Sequence, residues 1–427
     1  MTVLWVFLML LGMIAFGMPI AFALSLVAIG LLALNDISLL VAVQRLYQGV
    51  NGFPLLAVPL FILAGSLMNH SGISARLVEF ARTIVGQMRG GLAAVNVVTS
   101  MFFAGMSGTS MSDTAAVGSM LIPQMIKRGY SRAFSAAVTA SSSTIGIIIP
   151  PSVPMVLLAA FMGISTGALF AAGLIPGLLL GFGLIFVAWL ISRREGYPVE
   201  ARFELRAMLK ALLHALPALM MPVIILGGIL GGVFTPTEAA AVACVYGYGV
   251  GAVYYRTLTL RRTWTALREA AQLTGAVMFV TSAAHVLGYT FTYEQYADAL
   301  FEPLKAMDIS AFGLLIVLSL VMIVAGTFLD GIAMMFIIVP LFLPTAVALG
   351  VDPVHFGMVV IVCWGIGQQT PPVGAALFIT SLLAECDVLQ ITRANLWFIG
   401  VMIVVLALVL LFPDALVLSL PRALGMY

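Results

Sequence analysis

The sequence predicts an all-α polytopic membrane protein, and three observations carry that reading. The composition is apolar, the basic residues sit in short connections, and two matching segments carry paired prolines inside apolar helices. Of 427 residues, 62% are hydrophobic and 8% charged, against roughly 25% charged in a soluble domain. A water-soluble fold of this size could not hide that much apolar surface, so lipid is the solvent. A bilayer core of about 30 Å takes about 20 apolar residues per helical crossing, which leaves room for about ten crossings. The net charge of +2 gives no signal for nucleic acid, because the basic residues are scattered. Cys244, Cys363 and Cys386 are isolated and read as small apolar residues, neither a disulfide framework nor a metal site.

Taking the elements in order, residues 2–34 lack a basic leading region and run too long for a signal peptide, so they read as a retained first helix. The stretch 69–90 holds Arg76, Arg82 and Arg89, and the turn 127–132 holds Lys127, Arg128 and Arg132. The most basic connections are 192–210 and 255–268. All four are expected on the cytoplasmic side. Linking spans at 212–254 fit between the last two.

Between Gly91 and Lys127 the chain leaves the cytoplasm and returns, with the polar tract GMSGTSMSD (105–113) midway. Two full helices with a polar outer turn, or a re-entrant hairpin, both satisfy that arithmetic. Small hydroxyl residues and the absence of Lys or Arg favour the hairpin, since irregular backbone is tolerated at membrane depth only where protein encloses it.

An internal repeat then sets the architecture. Asp113 precedes Pro123 by ten residues, followed by IGIIIPP (145–151); Asp330 precedes Pro340 by ten, followed by IGQQTPP (366–372). Repeat one spans about 50–190, with a hairpin at 92–124 and a broken helix at 133–165. Repeat two spans about 266–412, with a hairpin at 311–349 and a broken helix at 357–385. The first hairpin opens to the basic side. The second is flanked by Glu294, Asp298, Glu302, Asp308 and Asp352, and is expected to open outward. Inverted repeats with matching helix breaks are the sequence pointer to a transporter's midplane binding site.

Three acids lie in apolar surroundings: Asp113, Glu238 and Asp330. An intramembrane carboxylate is costly and a functional candidate. Asp113 and Asp330 occupy matching places at the hairpin tips, where each can cap a helix, ligate a cation, or both. Glu238 follows Pro236 and reads as a first-turn acid that complements the helix dipole. No Lys or Arg is placed at midplane, so positive potential must come from helix N-termini and bound cations. Sodium favours oxygen ligands. The candidate ligands are Ser107, Asp113, Gly146, Gly326, Thr327, Asp330, Gly367 and Thr370. The substrate's carboxylate is expected near Ser107, Gly108, Thr109, Ser110, Pro150, Pro151, Ser152, Thr370, Pro371 and Pro372. Ser141, Ser142, Ser143 and Thr144 add hydroxyls, or pack helices. His285 reads as a buried, hydrogen-bonded imidazole. Gly105-Met106-Ser107-Gly108 also matches the serine environment of intramembrane proteases, but that reading explains neither the second hairpin nor the paired breaks.

The segments 54–68, 104–125, 141–155, 231–241 and 366–378 resemble the large membrane subunit of tripartite ATP-independent periplasmic (TRAP) transporters. The resemblance implies an elevator-type sodium symporter for small organic anions in the bacterial inner membrane. It further implies a separate small four-helix subunit and a periplasmic substrate-binding protein. Family members commonly carry Asn shortly before the second T-P-P, where Cys363 and Trp364 stand here. The alternative is a stand-alone sodium/dicarboxylate elevator. Two amphipathic connectors, 73–88 and 291–305, suit arms that join a scaffold to a moving domain.

Overall fold

A computed structural model of the chain describes residues 3–200, 203–296, 309–371 and 374–426. Regular structure among them is helical apart from one isolated bridge between Arg89 and Val199. The amino-terminal stretch, expected as one helix, is two: α1 (Val3–Ala15) and α2 (Ile20–Leu34). Between them Gly17 takes a φ of +84°, and Pro19, which has no amide hydrogen to donate, stands at the N-cap of α2.

The chain continues through α3 (Leu40–Gln48), α4 (Ala57–His70) and α5 (Ile73–Val85) to a first hairpin, α6 (Gly91–Ser107) and α7 (Ser110–Lys127). A broken helix follows, in the pieces α8 (Arg132–Ser143), α9 (Ile145–Ile148) and α10 (Val153–Met162). Three long helices, α11 (Thr166–Arg194), α12 (Leu205–Leu230) and α14 (Leu260–Tyr293), surround the shorter α13 (Pro236–Gly249) in sequence. The second hairpin is α15 (Ala311–Gly326) and α16 (Gly331–Ala348). The second broken helix is α17 (Pro353–Gly367) and α18 (Ala375–Ala384), and α19 (Val388–Leu411) comes after it.

Six of the described helices are long and apolar enough to cross a bilayer, or seven if the bent pair Arg132–Ile148 and Val153–Met162 is one span. That is fewer than the ten crossings expected, because much of the apolar sequence lies in helices of 10–17 residues that meet at turns and breaks.

The repeat is written in the helix boundaries. Gly331 opens α16 just as Ser110 opens α7, and Pro353 opens α17 as Arg132 opens α8; each pair is 221 residues apart. The same spacing relates Gly146 to Gly367 at the breaks. The D-x9-P spacing therefore pairs residues that are not equivalent. Asp330, at the N-cap of α16, corresponds to Thr109, at the N-cap of α7, and Asp113 sits a full turn inside its helix.

In lipid the apolar effect between helices is weak, and close packing with interhelical hydrogen bonds takes its place. Gly326 and Gly367 touch backbone to backbone: a Cβ on Gly326 would lie 2.9 Å from the Gly367 Cα. The hydroxyls of Ser141–Thr144 all reach other helices. Ser141 donates to Asn395 Oδ1 at 2.5 Å, and Ser142 donates to Asn96 Oδ1 at 3.1 Å. Ser143 meets Ser110 at 3.1 Å, and Thr144 accepts from Gln369 at 3.0 Å.

The helix α4 packs against α13 and α14, and α2 also runs along α14, which makes a wall beside the hairpins. The amphipathic α5 buries Ile73, Leu77 and Phe80 and packs on α6 and α12. Its Arg82 donates to Gln124 Oε1 of α7 at 2.8 Å. The second connector, 291–305 with Asp298, Glu302 and Lys305, lies largely outside the described residues, as does Asp308.

Candidate functional site

The first hairpin turns in two residues. Gly108 takes the left-handed region (φ +62°), and a Cβ there would lie 3.0 Å from the Pro151 carbonyl oxygen. Its own carbonyl accepts from the Val153 amide at 3.1 Å. The tip is thus seated on the break between α9 and α10, where the Pro150–Pro151 peptide is cis. Ser107 and Ser110 beside it are buried. The turn is thus polar and packed against protein, as a hairpin tip requires. At the break, Ser152 caps α10: its hydroxyl donates to the Ile147 carbonyl at 2.8 Å and accepts from the Met155 amide at 3.5 Å.

Asp113 is wholly buried. The Ser107 hydroxyl donates to its Oδ1, while Oδ2 has no hydrogen-bond partner and faces Gly146. The expectation that Asp113 caps its helix is therefore corrected: Thr109 holds the cap position, and the Asp113 carboxylate turns toward the break. An open carboxylate oxygen away from water is costly unless a cation or a proton meets it. Asp330 does cap, accepting from the Ile332 amide at 3.1 Å.

At the second break the side chain of Gln369 joins the two repeats. Its amide nitrogen donates to the Ala140 carbonyl at 2.6 Å and to Thr144 Oγ1 at 3.0 Å. The hydroxyls of Thr370 and Thr327 donate to Ile366 and Val324 of their own helices, at 2.9 and 2.8 Å. Pro372 lies outside the described residues.

A cavity of about 90 Å³ lies between the hairpin tips. Thr109, Ser110 and Asp330 line it, with Trp364 and Gln368 from the second broken helix and Leu273 and Val277 from the α14 wall. A second cavity, of about 110 Å³, shares Thr109 and adds Ser66, Asn69, Ser107, Ser112 and Glu269. Neither has a Lys or Arg among its described lining residues. Of the expected substrate residues, Ser107, Thr109 and Ser110 line these cavities. Gly108 and Pro151 pack on one another, and Pro150, Ser152, Thr370 and Pro371 stand outside the linings. Trp364, Gln368 and Gln369 were missed by motif reading. Their signal was present, since Ile147 and Ile148 fill the places of Gln368 and Gln369 in the other repeat.

The remaining candidates resolve simply. Glu238 completes a capping box with Thr235, accepting from the Thr235 amide at 2.8 Å. His285 is half-buried, with Nδ1 3.3 Å from the Thr281 carbonyl and its ring edge-on to Phe161. Ser107 bonds Asp113, not an imidazole.

Residues 7–415 match the family model described as tripartite ATP-independent periplasmic transporter, DctM component. The chain is 38% identical to the sialic acid TRAP transporter large permease protein SiaM of Vibrio cholerae, over 95% of each chain. It is 40% identical to the C4-dicarboxylate TRAP transporter large permease protein DctM of Pseudomonas aeruginosa, over 90% of this chain and 89% of that one. An isethionate TRAP transporter permease protein, DctMQ of Oleidesulfovibrio alaskensis, is 36% identical over 93% of this chain and 63% of its own length. Among solved structures, the YdaH transporter of Alcanivorax borkumensis superposes with a TM-score of 0.65 at 15% identity, covering 86% of each chain. That likeness is one of fold.

Proposed function

The chain belongs to the DctM-component family of tripartite ATP-independent periplasmic transporters, and from that premise we propose that it drives uptake of a small organic anion with sodium. The observation that carries this reading is the cavity between the two hairpin tips. It offers hydroxyls, a carboxylate and helix N-termini, but no basic side chain among its described lining residues. Such a lining suits a hard cation and an anion bound together.

In this reading sodium, as cargo, takes the open oxygen of Asp113 together with Ser107 and the Gly146 backbone. A second ion is held around Asp330, with Gly326, Thr327, Gly367 and Thr370 near the second break. The substrate carboxylate sits at Thr109 and Ser110, against the N-terminus of α7, where backbone amides favour an anion. Relatives named for sialic acid, C4-dicarboxylates and isethionate all carry acidic substrates, which supports the organic-anion class. The hairpins and broken helices would travel together past the wall of α4, α13 and α14, as an elevator in the inner membrane. A periplasmic binding protein delivers the substrate, and a small membrane subunit completes the assembly.

Reconstitution tests this directly. Proteoliposomes holding the chain with its small subunit should accumulate substrate only when given the binding protein and an inward sodium gradient. Equal uptake without the binding protein would assign a stand-alone symporter. Uptake indifferent to sodium would remove the ion from the mechanism.

A further inference from the structure

A cavity of about 290 Å³ that shares no lining residue with the two at the hairpin tips lies between the end of α11 and the start of α19. Tyr197 and Phe134 build part of its lining and stack with Tyr130, with Tyr130 and Tyr197 centroids 4.3 Å apart. The Tyr197 hydroxyl accepts from the Ser131 amide at 3.2 Å, which fixes the floor to the first turn of α8. Three charged residues line the cavity: Arg194, Arg393 and Glu195. Their basic neighbours are engaged elsewhere, Arg132 with Glu385 at 3.0 Å and Arg128 with Glu200 at 3.7 Å. Neither Arg194 nor Arg393 makes an ion pair among the described residues; Arg194 lies 6.0 Å from the Trp397 ring centroid.

Below this polar mouth the same two helices show a bare apolar face. Phe182, Phe186, Leu396, Trp397 and Val404 are each more than half exposed. The basic segment 192–210 puts the mouth at the cytoplasmic headgroup level.

We propose that this cavity holds the headgroup of a phosphatidylethanolamine-type lipid, with its phosphate between Arg194 and Arg393 and its ammonium at Glu195. Two guanidiniums and one carboxylate match a phosphate beside a cation that can donate hydrogen bonds. A choline headgroup has the charge but no N–H to give Glu195. A glycerol headgroup has no cation at all. The acyl chains lie along Phe186 and Trp397, so the lipid ties α11 to α19 and, through Ser131, to the first broken helix.

Native mass spectrometry of the purified full-length protein tests the assignment. The protein is loaded with phosphatidylethanolamine, phosphatidylglycerol or phosphatidylcholine of identical acyl chains, and bound lipid is counted. Wild type should retain phosphatidylethanolamine best. The pair Arg194→Ala and Arg393→Ala should reduce retention roughly tenfold, as for two lost charge-assisted contacts. Glu195→Gln lies on an exposed turn, so it leaves the fold intact if the double variant does not. It should erase the preference over phosphatidylglycerol. Unchanged retention in the arginine variant, or an unchanged lipid preference in Glu195→Gln, overturns the proposal. Release of the lipid by excess inorganic phosphate would also overturn it, making the site one for free phosphate.

Discussion

Gly146 presents its Cα to Oδ2 of Asp113 so closely that a Cβ there would overlap the carboxylate. The glycine of the first break and the acid of the first hairpin are thus one unit, although 33 residues separate them in sequence. Gly146→Ala should destabilise the protein by about 1–3 kcal/mol, the usual cost of overpacking, and abolish uptake. Adding Asp113→Ala should recover the melting temperature but not transport. A Gly146→Ala protein that melts like wild type would mean the contact is absent.

Asp330 separates capping from ion binding. Asp330→Ala removes the side chain that accepts from the Ile332 amide and should cost about 1 kcal/mol. Asp330→Asn keeps a competent cap, so thermal stability should stay near wild type. If the carboxylate also holds sodium, the Asn variant will still require much more sodium for half-maximal uptake. An unchanged sodium titration in Asp330→Asn would leave Asp330 a cap alone.

These two acids show how far the sequence could be read. The paired prolines and the hairpins were legible, because proline and a polar tract inside an apolar run each force a local departure from the helix. The equivalence of Asp113 and Asp330 was not. Spacing to a proline measures distance along one helix, whereas position in the fold counts from the turn, here Gly108–Thr109 and Leu329–Asp330. The wall residues Leu273 and Val277 were illegible for another reason. An apolar residue facing a cavity looks the same in sequence as one facing lipid.

Gln369 should behave as a structural stitch between the two repeats. Gln369→Leu fits a place that Ile148 fills in the other copy, but it removes the 2.6 Å donor to the Ala140 carbonyl, which keeps the Ser143 hydroxyl at 2.7 Å, and it leaves the buried Asn395 amide without its acceptor at 3.4 Å. Loss of a buried partner costs about 1–3 kcal/mol. Denaturation in detergent should show that loss. Equal stability would show that water or another side chain replaces the amide.

The wall and the hairpin meet at Asn69 and Ser112, where the amide donates to the hydroxyl at 2.7 Å. In an elevator these two helices, α4 and α7, must slide apart. Asn69→Cys with Ser112→Cys, in a background lacking Cys244, Cys363 and Cys386, should form a disulfide on oxidation and stop uptake, with recovery on reduction. Full cross-linking with undiminished uptake would show that α4 and α7 keep their contact throughout the cycle.

Sodium and substrate should bind with positive coupling, and the reason lies in the cavity lining. Thr109, Ser110 and Gln368 can donate hydrogen bonds to a carboxylate, but no basic residue among the described lining residues neutralises it. Asp330 and the nearby Asp113 add negative charge of their own, so an anion entering alone meets repulsion in a poorly solvated site. An unpaired buried charge costs several kcal/mol. A bound sodium ion offsets part of that cost, and the substrate in turn stabilises the ion, because linkage is reciprocal. A coupling in the usual range of about 1–3 kcal/mol corresponds to roughly 5–150-fold in affinity. Calorimetry on the purified assembly, titrating substrate at several sodium concentrations with choline as the replacement ion, measures it. Asp113→Asn should lower the coupling without abolishing it, since Asp330 remains. Substrate affinity independent of sodium would sink the arrangement, and the anion's partner would then have to be a basic residue such as Arg45, which lies over the Tyr289 ring at 4.2 Å.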